Sequence, residues 1–277
     1  SAIDCYQNAL KINPQYAEAY NNLGASFKDK GDLDSAIDCF KKALMNSPEN
    51  EDIFNNMGNA MKDKGDLDSA IDCYQNALKI NPQYAEAYNN LGASFKDKGD
   101  LDSAIDCYQN ALKINPQYAE VYTNKCEVYE QANKLDDLII VISKAKETLK
   151  DQPEDMFLYE AFYHFRKHNF ENSQKLLNML NVEQLSKIKR PLYHQIMAKL
   201  HHHNKKYELA FNSFAQMNDL VLKSSSFDQS QAQFFFQKLI DKKQELLNIM
   251  ESPYSTTIAN PSITNPVFLI GFPRSGT

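Results

Sequence analysis

No run of basic residues occurs in this 277-residue chain, and no apolar stretch approaches the roughly 20 residues that a bilayer-spanning helix requires. The first absence, with a formal charge of −6, argues against a general binder of nucleic acid or of an anionic membrane surface. The second argues against a helical membrane span. No signal peptide opens the chain either. Ser1 to Tyr16 reads as the second half of a helical unit, so the natural protein is expected to extend further upstream. Cysteine is sparse, and its count of five is odd, which suits a reducing, cytoplasmic compartment. Cys5, Cys39, Cys73 and Cys107 recur at one place in successive units. Helices stacked roughly 8–10 Å apart hold them beyond the ~5.5–6 Å between α-carbons that a disulfide needs, so reduced thiols are expected. Glycine is scarce as well, eight in all, and six of these share two registers: Gly24, Gly58 and Gly92, then Gly31, Gly65 and Gly99.

Those registers define a period of 34 residues, with Ala85–Tyr118 as the model unit. Residues 1–39 reproduce residues 69–107 without a change, as a recent duplication of a two-unit block would leave them. Within the unit, Tyr88, Leu91, Gly92 and Phe95 form one stripe of an α-helix. Gly99 tolerates the positive φ that ends it, and Asp100 caps a second helix with a stripe of Ala104, Tyr108 and Ala111. Asn115-Pro116 closes that helix, because proline disfavours helical geometry in the residue before it. One such hairpin cannot bury both stripes, so neighbouring copies must stack and share a core.

The unit resembles the tetratricopeptide repeat. It has an aromatic at the fourth position (Tyr20, Phe54, Tyr88, Tyr122), glycine at the eighth, alanine at the twentieth, an aromatic at the twenty-fourth (Phe40, Tyr74, Tyr108), alanine at the twenty-seventh and proline at the thirty-second. The resemblance implies an all-α fold, a right-handed α-solenoid, that binds an extended protein or peptide segment. Residues 1–16 are then the second half of a truncated repeat and 17–118 three regular repeats. Residues 119–218 are degenerate hairpins, in which Cys126 replaces the glycine and Leu138 the small alanine. Residues 219–265 make a linker, with a long helix from Gln229 to Met250 and an irregular connector. Asn22, Asn56, Asn90 and Asn124 fall at the sixth position of successive first helices, which line the concave side of such solenoids. Evenly spaced carboxamides can donate to and accept from a peptide backbone, and the row resembles the asparagine ladder of the N-acetylglucosaminyl transferase that modifies intracellular proteins. These side chains are expected to face solvent when the groove is empty. The apolar side of the leading half-hairpin, at Ile3, Tyr6 and Leu10, is expected to be exposed and open to self-association.

Residues 266–277 change character. Val267 to Ile270 reads as a buried strand, and Gly271 and Gly276 have the G-x-x-x-x-G spacing of a phosphate-binding loop. The lysine of a nucleoside triphosphatase is missing, and Arg274 sits inside the loop instead. Pro266, Phe268, Leu269, Gly271, Pro273, Arg274, Ser275, Gly276 and Thr277 resemble the opening P-x-F-L-x-G-x-P-R-S-G-T of sulfotransferases. That likeness implies the first strand and loop of a truncated α/β domain that uses 3′-phosphoadenylyl sulfate (PAPS). Arg274 would offset charge on the bridging oxygen, and Gly271, Ser275, Gly276 and Thr277 would cradle phosphate. The layout also resembles bacterial repeat-containing sulfotransferases. No acceptor base or 3′-phosphate site lies in these residues, so the chain itself is expected to be inactive. The alternative is an interaction scaffold without catalysis. His201-His202-His203 cannot converge on one metal from consecutive helical positions, and His164 with His168, though placed at i and i+4, lacks a third ligand. The row of Lys28, Lys62 and Lys96 beside Asp29, Asp63 and Asp97 reads as a solvated face.

Overall fold

The computed structural model describes residues 1–224, and thirteen α-helices fill them with no strand among the described residues. A leading helix α1 (Ala2–Ile12) precedes α2 (Ala17–Asp29), α3 (Leu33–Asn46), α4 (Glu51–Asp63), α5 (Leu67–Ile80), α6 (Ala85–Lys98) and α7 (Leu101–Ile114). There follow α8 (Ala119–Gln131), α9 (Leu135–Thr148), α10 (Glu154–Arg166), α11 (Phe170–Met179), α12 (Arg190–His203) and α13 (Tyr207–Ser224). From α2 onward they form six hairpins, and α13 runs past the boundary at 218 that the sequence suggests. The helix from Gln229, the connector and the strand-loop of 266–277 lie outside the described residues.

Local chemistry sets each hairpin turn. Gly31, Gly65 and Gly99 have φ of +81°, +87° and +89°, a region that costs an L side chain strain. Asp32, Asp66 and Asp100 then cap the second helices, each carboxylate accepting from the backbone N–H three residues on, at 3.2, 3.1 and 3.1 Å. The three later hairpins keep the same backbone without glycine: Asn133, His168 and Lys205 have φ of 55°, 60° and 59°. Because α10 ends at Arg166 and His168 lies in that turn, the i, i+4 helical spacing expected for His164 and His168 does not exist. Among the described residues no group of three histidine, cysteine or acidic side chains is placed to hold a metal.

Packing within a hairpin depends on the eighth and twenty-fourth positions. Gly24, Gly58 and Gly92 lie against the rings of Phe40, Tyr74 and Tyr108, all fully buried. Tyr74 donates its hydroxyl to Asn59 at 2.7 Å. In the next hairpin Ala93 stands where Asn59 stood, and the buried Tyr108 hydroxyl has no partner. An unmet buried hydroxyl costs roughly 1–3 kcal/mol. Tyr108→Phe is therefore expected to hold or raise stability by up to about 1 kcal/mol, while Tyr74→Phe costs about 1 kcal/mol. Urea denaturation of both variants checks this; a clear loss for Tyr108→Phe would show that its hydroxyl is bonded after all.

The leading half-hairpin corrects one expectation. Ile3 is buried, with Tyr6 and Leu10 half-buried against Leu23, Phe27 and Cys39. These three side chains point toward the following hairpin, which covers them, so they do not offer the sticky surface anticipated for self-association. The open side of α1 is the one that carries Cys5. The equivalent cysteines face back toward the preceding unit: Cys39 packs with Ile3 and Leu23, and Cys107 with Ile71 and Leu91. Hence Cys5 is exposed while Cys39, Cys73, Cys107 and Cys126 are buried, all as free thiols. Burial pushes the Cys73 thiol up to about 11 and Cys107 to about 12, leaving almost no thiolate near neutral pH. A maleimide added to the native protein is expected to modify Cys5 at least tenfold faster than the other four, read by peptide mass spectrometry. Equal rates would mean that the hairpins open freely.

Candidate functional site

The backbone of each first helix comes close to that of the next, α2 to α4, α4 to α6, α6 to α8, α8 to α10 and α10 to α12, whereas among the described residues the backbones of α1, α3, α5, α7, α9 and α11 stay further apart and meet only through side chains such as Cys39 with Ile3. The first helices therefore form the inner row of the array, and their second, sixth, twelfth and thirteenth positions carry polar side chains that are exposed or half-buried in the regular hairpins. Asn22, Asn56, Asn90 and Asn124 lie there, on α2, α4, α6 and α8, all half-buried.

They do not simply face solvent. Asn56 donates its side-chain N–H to Asn21 Oδ1 at 3.1 Å, Asn90 to Asn55 Oδ1 at 3.0 Å, and Asn124 to Asn89 Oδ1 at 2.9 Å. Asn55 and Asn89 in turn donate across the following seam to Glu86 Oε1 at 3.1 Å and Glu120 Oε1 at 3.3 Å. A carboxamide has two N–H donors and a carbonyl acceptor. Each ladder asparagine after the first thus ties one donor to the previous hairpin, while among the described residues its side-chain oxygen accepts nothing. The fifth-position asparagines, Asn55 at 1% and Asn89 at 3% exposure, are the residues that sequence reasoning overlooked. The available signal was the doubled Asn-Asn in each unit. Where the fourth hairpin has Thr123, the seam changes: its hydroxyl donates to the Glu120 backbone at 2.7 Å.

The lysine row is likewise tied between hairpins. Lys28 reaches Asp63 at 3.9 Å, Lys62 reaches Asp97 at 3.6 Å, and Lys96 reaches Glu127 at 3.1 Å. Glu127 also holds Lys189 at 2.7 Å. Burial would raise its pKa, but the two ammonium groups outweigh that and hold the carboxyl below the usual range.

Lys189 arrives from the segment 181–189 between α11 and α12, which lies across α10. Ser186 N–H donates to Asp155 Oδ1 at 3.1 Å, the Lys189 ammonium sits 5.5 Å over the Tyr159 ring, and Leu185 is buried in the core that holds Leu158 and Tyr159. Counted from Glu154, Leu158 and Tyr159 occupy the two positions that are Asn-Asn in the regular hairpins. The chain thus covers its own inner face at α10, and the open polar face runs from α2 to α8. A separate cavity of about 430 Å³ lies between α12 and α13, lined by Tyr193, His194, Met197 and Ser213 among others, with burial lowering the pKa of His194. Gly271, Arg274, Ser275, Gly276 and Thr277 lie outside the described residues. No helix among the described residues is long and apolar enough to cross a membrane.

Residues 1–31 and 58–99 match the family model described as TPR repeat, and residues 17–50 and 85–118 that described as tetratricopeptide repeat. The regular hairpins are a tetratricopeptide repeat array. No curated protein matches the chain. Among solved structures it is similar to MamA, with 29% identity over 53% of this chain and 85% of that one at a TM-score of 0.50. It is similar in fold to pilF from Pseudomonas aeruginosa, with 18% identity over 78% of this chain and 97% of that one at a TM-score of 0.62. It is similar in fold also to YrrB, described as a TPR protein with an unusual peptide-binding site, with 19% identity over 73% of this chain and 97% of that one at a TM-score of 0.53.

Proposed function

We propose that this array is a protein-binding scaffold whose inner face, from α2 to α8, holds an extended segment of a partner through the carboxamides of Asn22, Asn56, Asn90 and Asn124. The observation that carries the reading is the unengaged side-chain oxygen repeated once per hairpin, which can accept from a partner's backbone N–H. Because Asn56, Asn90 and Asn124 also tie the seams, their truncation confounds binding with stability. Asn22 has no ladder asparagine ahead of it in this chain, which makes Asn22→Ala the clean variant. It should weaken a peptide selected on the full chain by about 0.5–1.5 kcal/mol per bond lost, with an unaltered melting curve. Unchanged affinity for every groove-bound peptide would remove Asn22 from the contact surface and leave the ladder a feature of repeat packing.

A second reading rests on the sequence of residues 266–277. Its likeness to the sulfotransferase loop supports a whole protein in which the array presents a partner to a PAPS-dependent sulfuryl transfer site. Gly271, Arg274, Ser275, Gly276 and Thr277 would then hold the 5′-phosphosulfate of that substrate. The reading expects a threonine and a helix directly after Thr277 in the source message. A stop codon there would overturn it, leaving the interaction scaffold.

A further inference from the structure

The connection between α11 and α12 is longer than joining two hairpins requires. Four residues separate α1 from α2, α3 from α4, α5 from α6 and α7 from α8, and five separate α9 from α10, whereas residues 180–189 number ten. Within 181–189 only Leu185 is buried, and Ile188 is 78% exposed. The segment holds a shape of its own. Leu185 N–H donates to the Val182 carbonyl and Lys189 N–H to that of Ser186, while the Arg190 guanidinium donates to the Glu183 carbonyl at 2.8 Å and the Leu185 carbonyl at 3.3 Å.

Its anchors fall on positions that the regular hairpins leave open. Ser186 N–H donates to Asp155, at the second position of α10, and the Lys189 ammonium bonds Glu127, at the ninth position of α8, while lying over the ring of Tyr159, at the sixth position of α10. Asp155 is half-buried, whereas its second-position counterparts Glu18, Asp52, Glu86 and Glu120 are exposed. Tyr159 is 1% exposed where the ladder asparagines are half-buried, and Leu185, 2% exposed, packs in the core that holds Leu158 and Tyr159. The contacts are those of a bound peptide: a backbone N–H on a carboxylate, an aliphatic side chain in an apolar seat, and a cation shared by an acid and a ring.

We infer that segment 181–189 is a displaceable internal ligand of the inner face at α8 and α10. The partner that replaces it is a protein segment with a bulky aliphatic side chain and, four residues on, a lysine or arginine, the spacing of Leu185 and Lys189. Two features suit the site to exchange. Lys96 bonds Glu127 from the other side at 3.1 Å, so the carboxylate keeps one cation when Lys189 leaves. The surplus length of the connection lets the segment lift while α11 and α12 stay in place. A tethered occupant competes at an effective concentration of about millimolar, so the segment shuts out weak partners. The proposal rests on the scaffold reading above for its class of partner, and on no asparagine contact.

The test uses the full chain and, as probe, a fluorescent peptide of residues 180–192. Two variants release the segment: one combines Leu185→Ser with Lys189→Gln, and the other replaces residues 181–189 by an equal number of glycines and serines. Circular dichroism and urea denaturation establish that each is folded. Fluorescence anisotropy should show the peptide binding the released variants at least about tenfold more tightly than the parent, whose face is occupied. Lys189→Glu or Leu185→Asp in the peptide should each weaken that binding about tenfold, and Glu127→Gln in a released variant about fivefold.

Equal binding by the parent and the released variants, or by a scrambled peptide, overturns the proposal. So does a folded released variant that binds no peptide, which would make the segment a connector only. Failure of both variants to fold overturns it as well, because a segment that the fold cannot lose is not displaceable. If the released variants bind the peptide while Asn22→Ala leaves every selected groove peptide unaffected, the asparagine reading falls and this one stands. The opposite pattern keeps the groove of α2 to α8 and removes the internal ligand.

Discussion

Replacing Gly92 by alanine should destabilise the array by about 2 kcal/mol, although alanine is the better helix former by up to about 1 kcal/mol. A β-carbon there would lie 2.7 Å from Cε1 of Tyr108, closer than carbon atoms approach, and the ring is fully buried. The ring cannot swing away, because both helices hold it. Within this chain the eighth and twenty-fourth positions change together: glycine stands against Phe40, Tyr74 and Tyr108, Cys126 shares a hairpin with Ile142, and Ala161 with Leu177. A larger residue on the first helix accompanies a smaller one on the second. Tyr108→Leu alone should cost about 2–3 kcal/mol through the cavity it leaves. The double variant should lose clearly less than the sum, with a coupling of at least about 1 kcal/mol. Urea denaturation of the four proteins closes the cycle, and additivity within about 0.5 kcal/mol would refute the steric account.

The same pair of positions explains what sequence made legible. In the regular repeats Gly92 and Tyr108, Gly99 and Asp100, Asn115 and Pro116 each declare a contact, a turn or an end, so the hairpins of 17–118 can be read residue by residue. In the later hairpins the backbone persists after those signals are gone. Asn133, His168 and Lys205 hold the left-handed turn that glycine holds earlier, because helix packing on both sides imposes it. Lys125 takes the place of Leu91 and survives nearly buried, its ammonium 5.7 Å over the Tyr129 ring and its pKa lowered by burial.

The candidate site was legible as a row and misread in detail. Periodicity places Asn22, Asn56, Asn90 and Asn124 on one face, since helical spacing and repeat length are fixed by sequence alone. What those side chains bond depends on how far one hairpin is rotated over the next, which no single unit encodes. Hence the buried roles of Asn55 and Asn89 appear only in three dimensions. The same holds for Ile3, judged exposed from a missing partner on one side and covered by α2 on the other.

Glu127→Gln should be the most damaging change on the inner face, costing about 2–3 kcal/mol. The carboxylate, 18% exposed, is shared by Lys96 at 17% and Lys189 at 12%. Removing one member of a buried ion pair strands the other and typically costs about 3–5 kcal/mol; partial exposure lowers that figure here. Glutamine still accepts one hydrogen bond but leaves two ammonium groups on a neutral side chain. The pH dependence supplies a second readout. The folded pKa lies below the unfolded one, so the native state binds fewer protons than the unfolded state in the window between them. The carboxylate's contribution is therefore complete above about pH 5, beyond the unfolded value of about 4.3, and is lost as pH falls through the lower folded value. Between about pH 5 and pH 3 the parent should lose more stability than Glu127→Gln, and the two should converge. Because Lys189 carries the segment 181–189 over α10, the variant should also speed amide exchange at Leu185 and Ser186, with little change in α2 or α3. A variant as stable as the parent at pH 7, with unaltered exchange in that segment, would show that Glu127 does not hold the segment in place.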